Sequence, residues 1–197
     1  MNAKAVLKAA AAKVSGNLRG RGFERTALKF VRGARDSGFA SLIELQPSRS
    51  STPEQLSFVI NFGVVVPSLF VGEHLTKPEY GDCHWGGRIS GKDGREVWWP
   101  VRANDDVEQL AARLIVLIEE EVLPALEGKQ RTEDLIALWL TGRSPLLVEA
   151  QRLFFLGKLL HSAGRRAEFE QTKAELERKA RDQFSLRALD KLKELDA

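Results

Sequence analysis

Few side chains in this sequence can do chemistry on their own. Three histidines, His74, His84 and His161, and a single cysteine, Cys83, are the whole supply of soft metal ligands and thiol nucleophile. Cys83 and His84 are neighbours, so on a strand they point to opposite faces and do not readily share an ion. Either of them with His74 makes two ligands, whereas a structural zinc takes four, so no metal is expected. No cofactor is expected either, because the chain has no G-x-S-x-G, no P-loop and no dinucleotide-binding glycine motif. A cysteine nucleophile with His74 or His84 as base lacks a third group to orient the base. Cys83 reads more simply as a small buried residue. The carboxylate runs Asp105-Asp106, Glu119-Glu120-Glu121 and Glu133-Asp134 fall in helical sequence, where they read as solvated faces or partners of the helix dipole. A hydrolase or transferase using Cys83/His84, or a carboxylate with Arg88, is the alternative reading.

The richer set is polar and embedded in strand-like sequence. Glu44, Gln46 and Ser48 recur at period two and so share one face of a strand. Asn61 lies on the less apolar face of another strand, Arg88 on a third, and Trp98 and Trp99 follow nearby. Brought into register, an amide, a carboxamide, a guanidinium and an indole can recognise a peptide or a small polar ligand. The competing reading is that these groups satisfy the loop backbone and each other, as buried polar groups must. The expected binding set is Gln46, Ser48, Asn61, Arg88 and Trp98.

The elements that position these residues are set by hydrophobic period. Residues 3–19 read as an amphipathic helix, with Leu7, Ala10, Val14 and Leu18 on one face and Gly20 and Gly22 ending it. The period then shortens to two. Thr26 to Arg32 reads as one strand and Phe39 to Gln46 as a second. Leu56 to Val66 is the clearest, with Leu56, Phe58, Ile60, Phe62 and Val64 alternating with a mixed set that faces solvent or loops. Residues 67–81 form a long connection, of the kind that often carries function. Cys83 to Ile89 and Glu96 to Val101 read as a hairpin around the Gly91–Gly94 turn. From Asn104 the helical period takes over, with Asn104 or Asp105 as the cap and Pro124 bending or ending the helix. Further helices follow: Leu135 to Leu140, a helix opened by Ser144-Pro145 and running to about Ser162, then Arg165 to Gln183 and Leu186 to Leu195. The expected fold class is α+β. An antiparallel five-stranded sheet is packed by the N-terminal helix and by a long helix after the sheet. The expected domains are an α+β unit over 1–128 and an all-helical region over 129–197 packed on it.

Charge is uneven. Residues 1–35 carry nine Lys/Arg against one acid, Glu24, while residues 36–150 carry ten bases against eighteen acids. Nucleic-acid binding through the basic N-terminal helix is therefore a reading to weigh, but no dense basic run and no aromatic before Phe23 supports it. The simpler reading is that the basic helix complements the acidic middle of the same chain. Lys4, Lys8 and Lys13 interrupt any signal-peptide core, and no window approaches a membrane span, so a cytoplasmic protein is expected.

Several short motifs occur in an order that resembles the DUF4304 family of domains of unknown function. They are Gly22-Phe23, then Ile43-Glu44-Leu45-Gln46-Pro47-Ser48-Arg49, then Phe58-Val59-Ile60-Asn61-Phe62-Gly63-Val64. After these come Cys83-His84-Trp85, Arg88-Ile89, Trp98-Trp99 and Val122-Leu123-Pro124. The resemblance covers about residues 5–127. Pro47 stands where the family more often has a basic or polar residue, and the C-terminal helices lie outside it. The resemblance implies a bacterial, mostly cytoplasmic family with no established activity, a boundary near residue 128, and Gln46, Ser48, Asn61 and Arg88 as motif positions. The function expected is a non-enzymatic module that binds a protein or peptide partner or a ligand.

Overall fold

The computed structural model describes residues 1–34, 38–69, 78–91 and 94–195. His74 and part of the expected 67–81 connection lie outside the described residues. By its internal contacts the chain divides into two compact units, one built from 1–67 and the stretch up to 128, the other from 68–69 and 129–195.

The first unit opens with helix α1 (Ala3–Arg19). Asn2 caps it by accepting the Ala5 N–H at 2.8 Å. Val6, Leu7, Ala10, Val14 and Leu18 are buried along one face. Its Lys13 pairs with Glu108 at 2.5 Å, and Arg21, just beyond the helix, with Glu119 at 3.5 Å.

Among the described residues six antiparallel strands follow: β1 (Glu24–Thr26), β2 (Lys29–Arg32), β3 (Ala40–Pro47), β4 (Gln55–Val65), β5 (Trp85–Arg88) and β6 (Trp99–Arg102). The single strand expected over 26–32 is instead a hairpin turning at Ala27-Leu28, with Thr26 opposite Lys29. Ala27 takes φ 56°, a conformation usually left to glycine, so the turn carries no residue signature. The expected hairpin over 83–101 is also corrected. Beyond one bridge, Ser90 to Glu96, the two strands do not pair with each other among the described residues. Both add to the same edge of β4, β5 along Asn61–Val64 and β6 along Gln55–Phe58. Strand β4 is thus central, with β3 on its other edge from Pro47↔Phe58 to Ala40↔Val65.

Register sorts the faces. Phe30, Ile43, Leu45, Phe58, Ile60 and Val64 share one face and are buried. Phe62 belongs to that face but is half-buried and packs on Trp85, ring centroids 6.0 Å apart. Along the other face, Val59, Asn61, Gly63 and Val65 are buried too. Of the solvent or loops expected there, it is loop that covers Gly63: the segment 78–84 lies so close that a Cβ on Gly63 would come within 2.5 Å of the Cys83 sulfur.

After the sheet, Asp106 rather than Asn104 or Asp105 caps helix α2 (Val107–Leu117), accepting from the Glu108 and Gln109 amides. The helix then widens into a π turn at Ile118–Val122 before α3 (Leu123–Glu127). Pro124 explains the widening: it has no N–H to give, and its ring crowds the carbonyl four residues back.

The second unit contains α4 (Thr132–Leu140), α5 (Glu149–Ser162), α6 (Arg166–Lys179) and α7 (Gln183–Glu194). Helix α5 starts at Glu149, not at Ser144-Pro145, because the Ser144 hydroxyl accepts the Leu147 N–H and turns the chain first. Arg152 is buried, and its guanidinium grips Glu149 through two bonds of 2.8 and 2.9 Å while donating to the Trp139 carbonyl. Among the described residues no helix is long and apolar enough to cross a membrane.

Hydrogen bonding from Arg152, opposed by burial and reinforced by Lys179, holds the Glu149 carboxyl at about 2, below its ordinary 4.5. A depressed carboxyl contributes stability above its unfolded pKa and loses it as pH falls through the folded one. The helical unit is therefore expected to weaken between about pH 4.5 and 2. Fluorescence of Trp139, the tryptophan of that unit, reads the change. Glu149→Gln should weaken the unit near neutral pH and flatten its loss in this window; an unchanged acid limb would contradict the pairing.

Candidate functional site

The period of two places polar residues of four strands at one level of the sheet. Lys29 stands opposite Glu44, Glu44 opposite Asn61, and Asn61 opposite Arg88. Directly opposed residues approach to about 5 Å, so this row reads across β2, β3, β4 and β5 without a gap.

Asn61 is the row's buried centre, with none of its surface exposed. Its Nδ2 donates to Gln46 Oε1 at 2.7 Å and its Oδ1 accepts from Arg88 Nε at 2.7 Å. A buried amide must be paired, and here both ends of it orient a side chain that reaches outward. Arg88 also donates through one terminal nitrogen to Glu96, and through the other, at 3.4 Å, to Gln46 Oε1. The second oxygen of Glu96 accepts the Trp98 indole N–H at 2.9 Å. Four of the expected residues, Gln46, Asn61, Arg88 and Trp98, thus belong to one network. Gln46 and Trp98 are exposed, and Arg88 is half-buried.

Ser48 does not join them. Its hydroxyl accepts the Ser50 N–H at 3.2 Å and its carbonyl accepts from Ser51 Oγ, so it shapes the β3–β4 loop. Strand β3 ends at Pro47, one residue too early for the period to carry Ser48 onto the face.

The other end of the row is charged. Lys29 meets Glu44 at 3.6 Å and pairs with Glu79 of the overlying segment. Burial works against the Lys29 ammonium, but the hydrogen bond to Glu79 and the charges of Glu44 and Glu79 outweigh it and raise its pKa. The three residues border an open cleft of about 880 Å³, with Lys4 and Lys8 on another side. Gln46, Asn61 and Arg88 do not line that cleft.

The segment over the face is pinned at several points. The Glu79 N–H donates to Asp82 at 2.7 Å, the His84 N–H to the Val64 carbonyl, and His84 Nδ1 accepts the Val66 N–H at 3.1 Å. Burial raises the Tyr80 phenol above its ordinary value, although the Arg88 charge pulls it down. Sequence reasoning missed Lys29, Glu79, Tyr80 and Glu96. Lys29 needed the unsignalled turn at Ala27. Glu96 carried a signal, as the first residue of an expected strand beside Trp98.

Cys83 belongs to this segment and is buried on its sheet side against Gly63, its sulfur 3.8 Å from the Glu79 carbonyl oxygen. Burial, with the Asp82 and Glu44 charges, pushes its thiol up to about 12, so almost none is thiolate at neutral pH. That removes the activation a cysteine nucleophile needs. Among the described residues no group of three or more His, Cys, Asp or Glu is placed to hold a metal ion.

A family model described as a domain of unknown function, DUF4304, matches residues 14–128. This span covers α1 from Val14, all six strands and the helix through α3. No curated protein and no solved structure matches the chain.

The burial of Cys83 makes its reactivity a report on the covering segment. An aromatic disulfide reagent should label native Cys83 at least a hundredfold more slowly than the urea-unfolded chain at pH 8. Equal rates would contradict the buried, protonated thiol.

Proposed function

Since the chain belongs to the DUF4304 family, whose activity is not known, we propose that it is a non-catalytic binding module, and that Gln46, Arg88 and Trp98 form the surface it presents to a protein or peptide partner. The observation that carries this reading is the division of labour around Asn61. A fully buried amide fixes two polar side chains whose outer atoms reach solvent beside an exposed indole. Tryptophan and arginine are the side chains that most often dominate binding energy at interfaces, because each offers a large rigid contact with a directional donor. Trp98 is 43% exposed while its indole N–H is already paired with Glu96, so its exposure is not what satisfies that N–H.

The burial of Cys83, which pushes its thiol pKa up, argues against the cysteine form of the enzyme reading. The pairing of Lys13 in α1, and of Arg21 just beyond it, with glutamates of the same unit takes up part of the basic charge of the N-terminal stretch and argues against nucleic-acid binding through it. A reducing, cytoplasmic setting fits a lone free thiol.

Affinity capture from the source cell tests this reading. The wild-type chain is compared with a Gln46→Ala/Trp98→Ala variant whose circular dichroism matches it. Trp98 is exposed, whereas Gln46→Ala also removes the acceptor of the buried Asn61 Nδ2, at a cost of about 1–3 kcal/mol, so Trp98→Ala alone makes the same test should the double variant not fold. A partner retained by the wild type and lost, by tenfold or more, from the variant is the expected result. Equal retention by both chains would refute the sheet face as the binding surface.

A further inference from the structure

We propose that Arg88 is a receptor for a partner's carboxylate and that Glu96 occupies it in the free protein as an internal stand-in, released when the partner's acidic group enters. This rests on the sheet-face reading above and adds to it the chemistry of what is bound.

The two sides of the Arg88–Glu96 pair are built differently. On the host side, the guanidinium is held at Nε by Asn61, which is wholly buried in the central strand, so its orientation is set by the sheet. Its two terminal nitrogens take other partners, one Glu96 and one Gln46 Oε1 at a long 3.4 Å. On the guest side, Glu96 is 38% exposed and lies outside the strands, tied to the sheet by the single bridge to Ser90. An exposed pair of this kind contributes little to stability, so exchanging its carboxylate for another costs little. A fixed fork facing a loosely tethered acid is the arrangement of a site filled by its own chain.

The donors around Glu96 match a planar carboxylate. One oxygen takes Arg88, the other takes the Trp98 indole at 2.9 Å. Gln46 lies beside them with its Oε1 facing Asn61 and Arg88, and its Nε2 has no partner among the described residues. That amide is a third donor for an incoming acid, while the exposed Trp98 ring offers an apolar wall for the carbons that carry it. Arginine suits the role because its planar fork matches two carboxylate oxygens, which a lysine ammonium does not. The incoming acid is either the acidic side chain of a peptide or a free small carboxylic acid.

The proposal makes Glu96 a competitor, so removing its charge should raise affinity for added carboxylate by the share of time the fork was occupied. Full-length wild type and Glu96→Gln are titrated with acetate, with inorganic phosphate and with a capped Gly-Glu-Gly peptide. The Arg88 Nε–H and Trp98 indole N–H resonances are followed by NMR. Glu96→Gln should bind acetate at least tenfold more tightly than wild type, and more tightly than phosphate. Arg88→Lys added to Glu96→Gln should reverse the gain. Tighter binding of the capped peptide than of acetate identifies a peptide source; equal binding identifies a free acid. Glu96→Ala makes the same test should Glu96→Gln not fold. No gain for acetate in either Glu96 variant, or a gain that Arg88→Lys leaves intact, overturns the proposal. Such a failure is separable from failure of the sheet-face reading, because capture through Gln46 and Trp98 does not require the fork to open.

Discussion

Asn61 sits near the middle of the longest strand with no surface exposed, so its carboxamide must find every partner inside the protein. Leaving such a group unpaired costs about 1–3 kcal/mol, a large fraction of the stability of a domain this size. The two partners it finds are Gln46 on one side and Arg88 on the other. They tie β3 and β5 to β4 through side chains as well as backbone. A one-residue slip of either strand would send the polar partner to the apolar face and leave the amide buried alone. The same bonds that hold register also aim the Arg88 fork and the Gln46 amide outward.

The rest of the sheet face follows from that constraint. Charges alternate along the row, with Lys29 positive, Glu44 negative, Asn61 neutral and Arg88 positive, and Glu96 closes it. Opposed charges on neighbouring strands favour the pairing by roughly 0.2–1 kcal/mol each, where like charges would oppose it. At the Lys29 end the spare positive charge is met by Glu79, which also anchors the segment that buries Cys83 over Gly63. At the Arg88 end the charge is met by Glu96, and both of these acids lie outside the strands. What sets the Arg88 end apart is the guanidinium, which the buried Asn61 holds at Nε while its terminal nitrogens reach Glu96 and Gln46.

Much of this was legible in the residues, for physical reasons. The α+β class, the central strand and the family resemblance follow from period and short motifs, and period two put Gln46 and Asn61 on a shared kind of face. What escaped was turn chemistry and strand pairing. The β1–β2 turn uses Ala27 at positive φ, so no glycine or asparagine announces it, and Lys29 stayed hidden inside what read as one strand. The Gly91–Gly94 turn was visible, yet its flanking strands bond to β4 because that edge was open to both of them. Ser48 shows the limit of periodicity, which holds only while the strand lasts. In the helices, Pro145 marked the right neighbourhood but Ser144 bonded its own loop, delaying α5 by four residues.

The central claim is that Asn61 and Arg88 act as a coupled pair, so that the buried amide holds the fork. A double-mutant cycle on Asn61→Ala and Arg88→Ala tests this most directly. The stability of β4 is read from amide hydrogen exchange in urea, which isolates this unit from the helical one. Coupling of about 1–3 kcal/mol is expected for a buried bond to a charged group. Two losses that simply add, to within about 0.5 kcal/mol, would show that Asn61 does not hold Arg88 and would contradict the account.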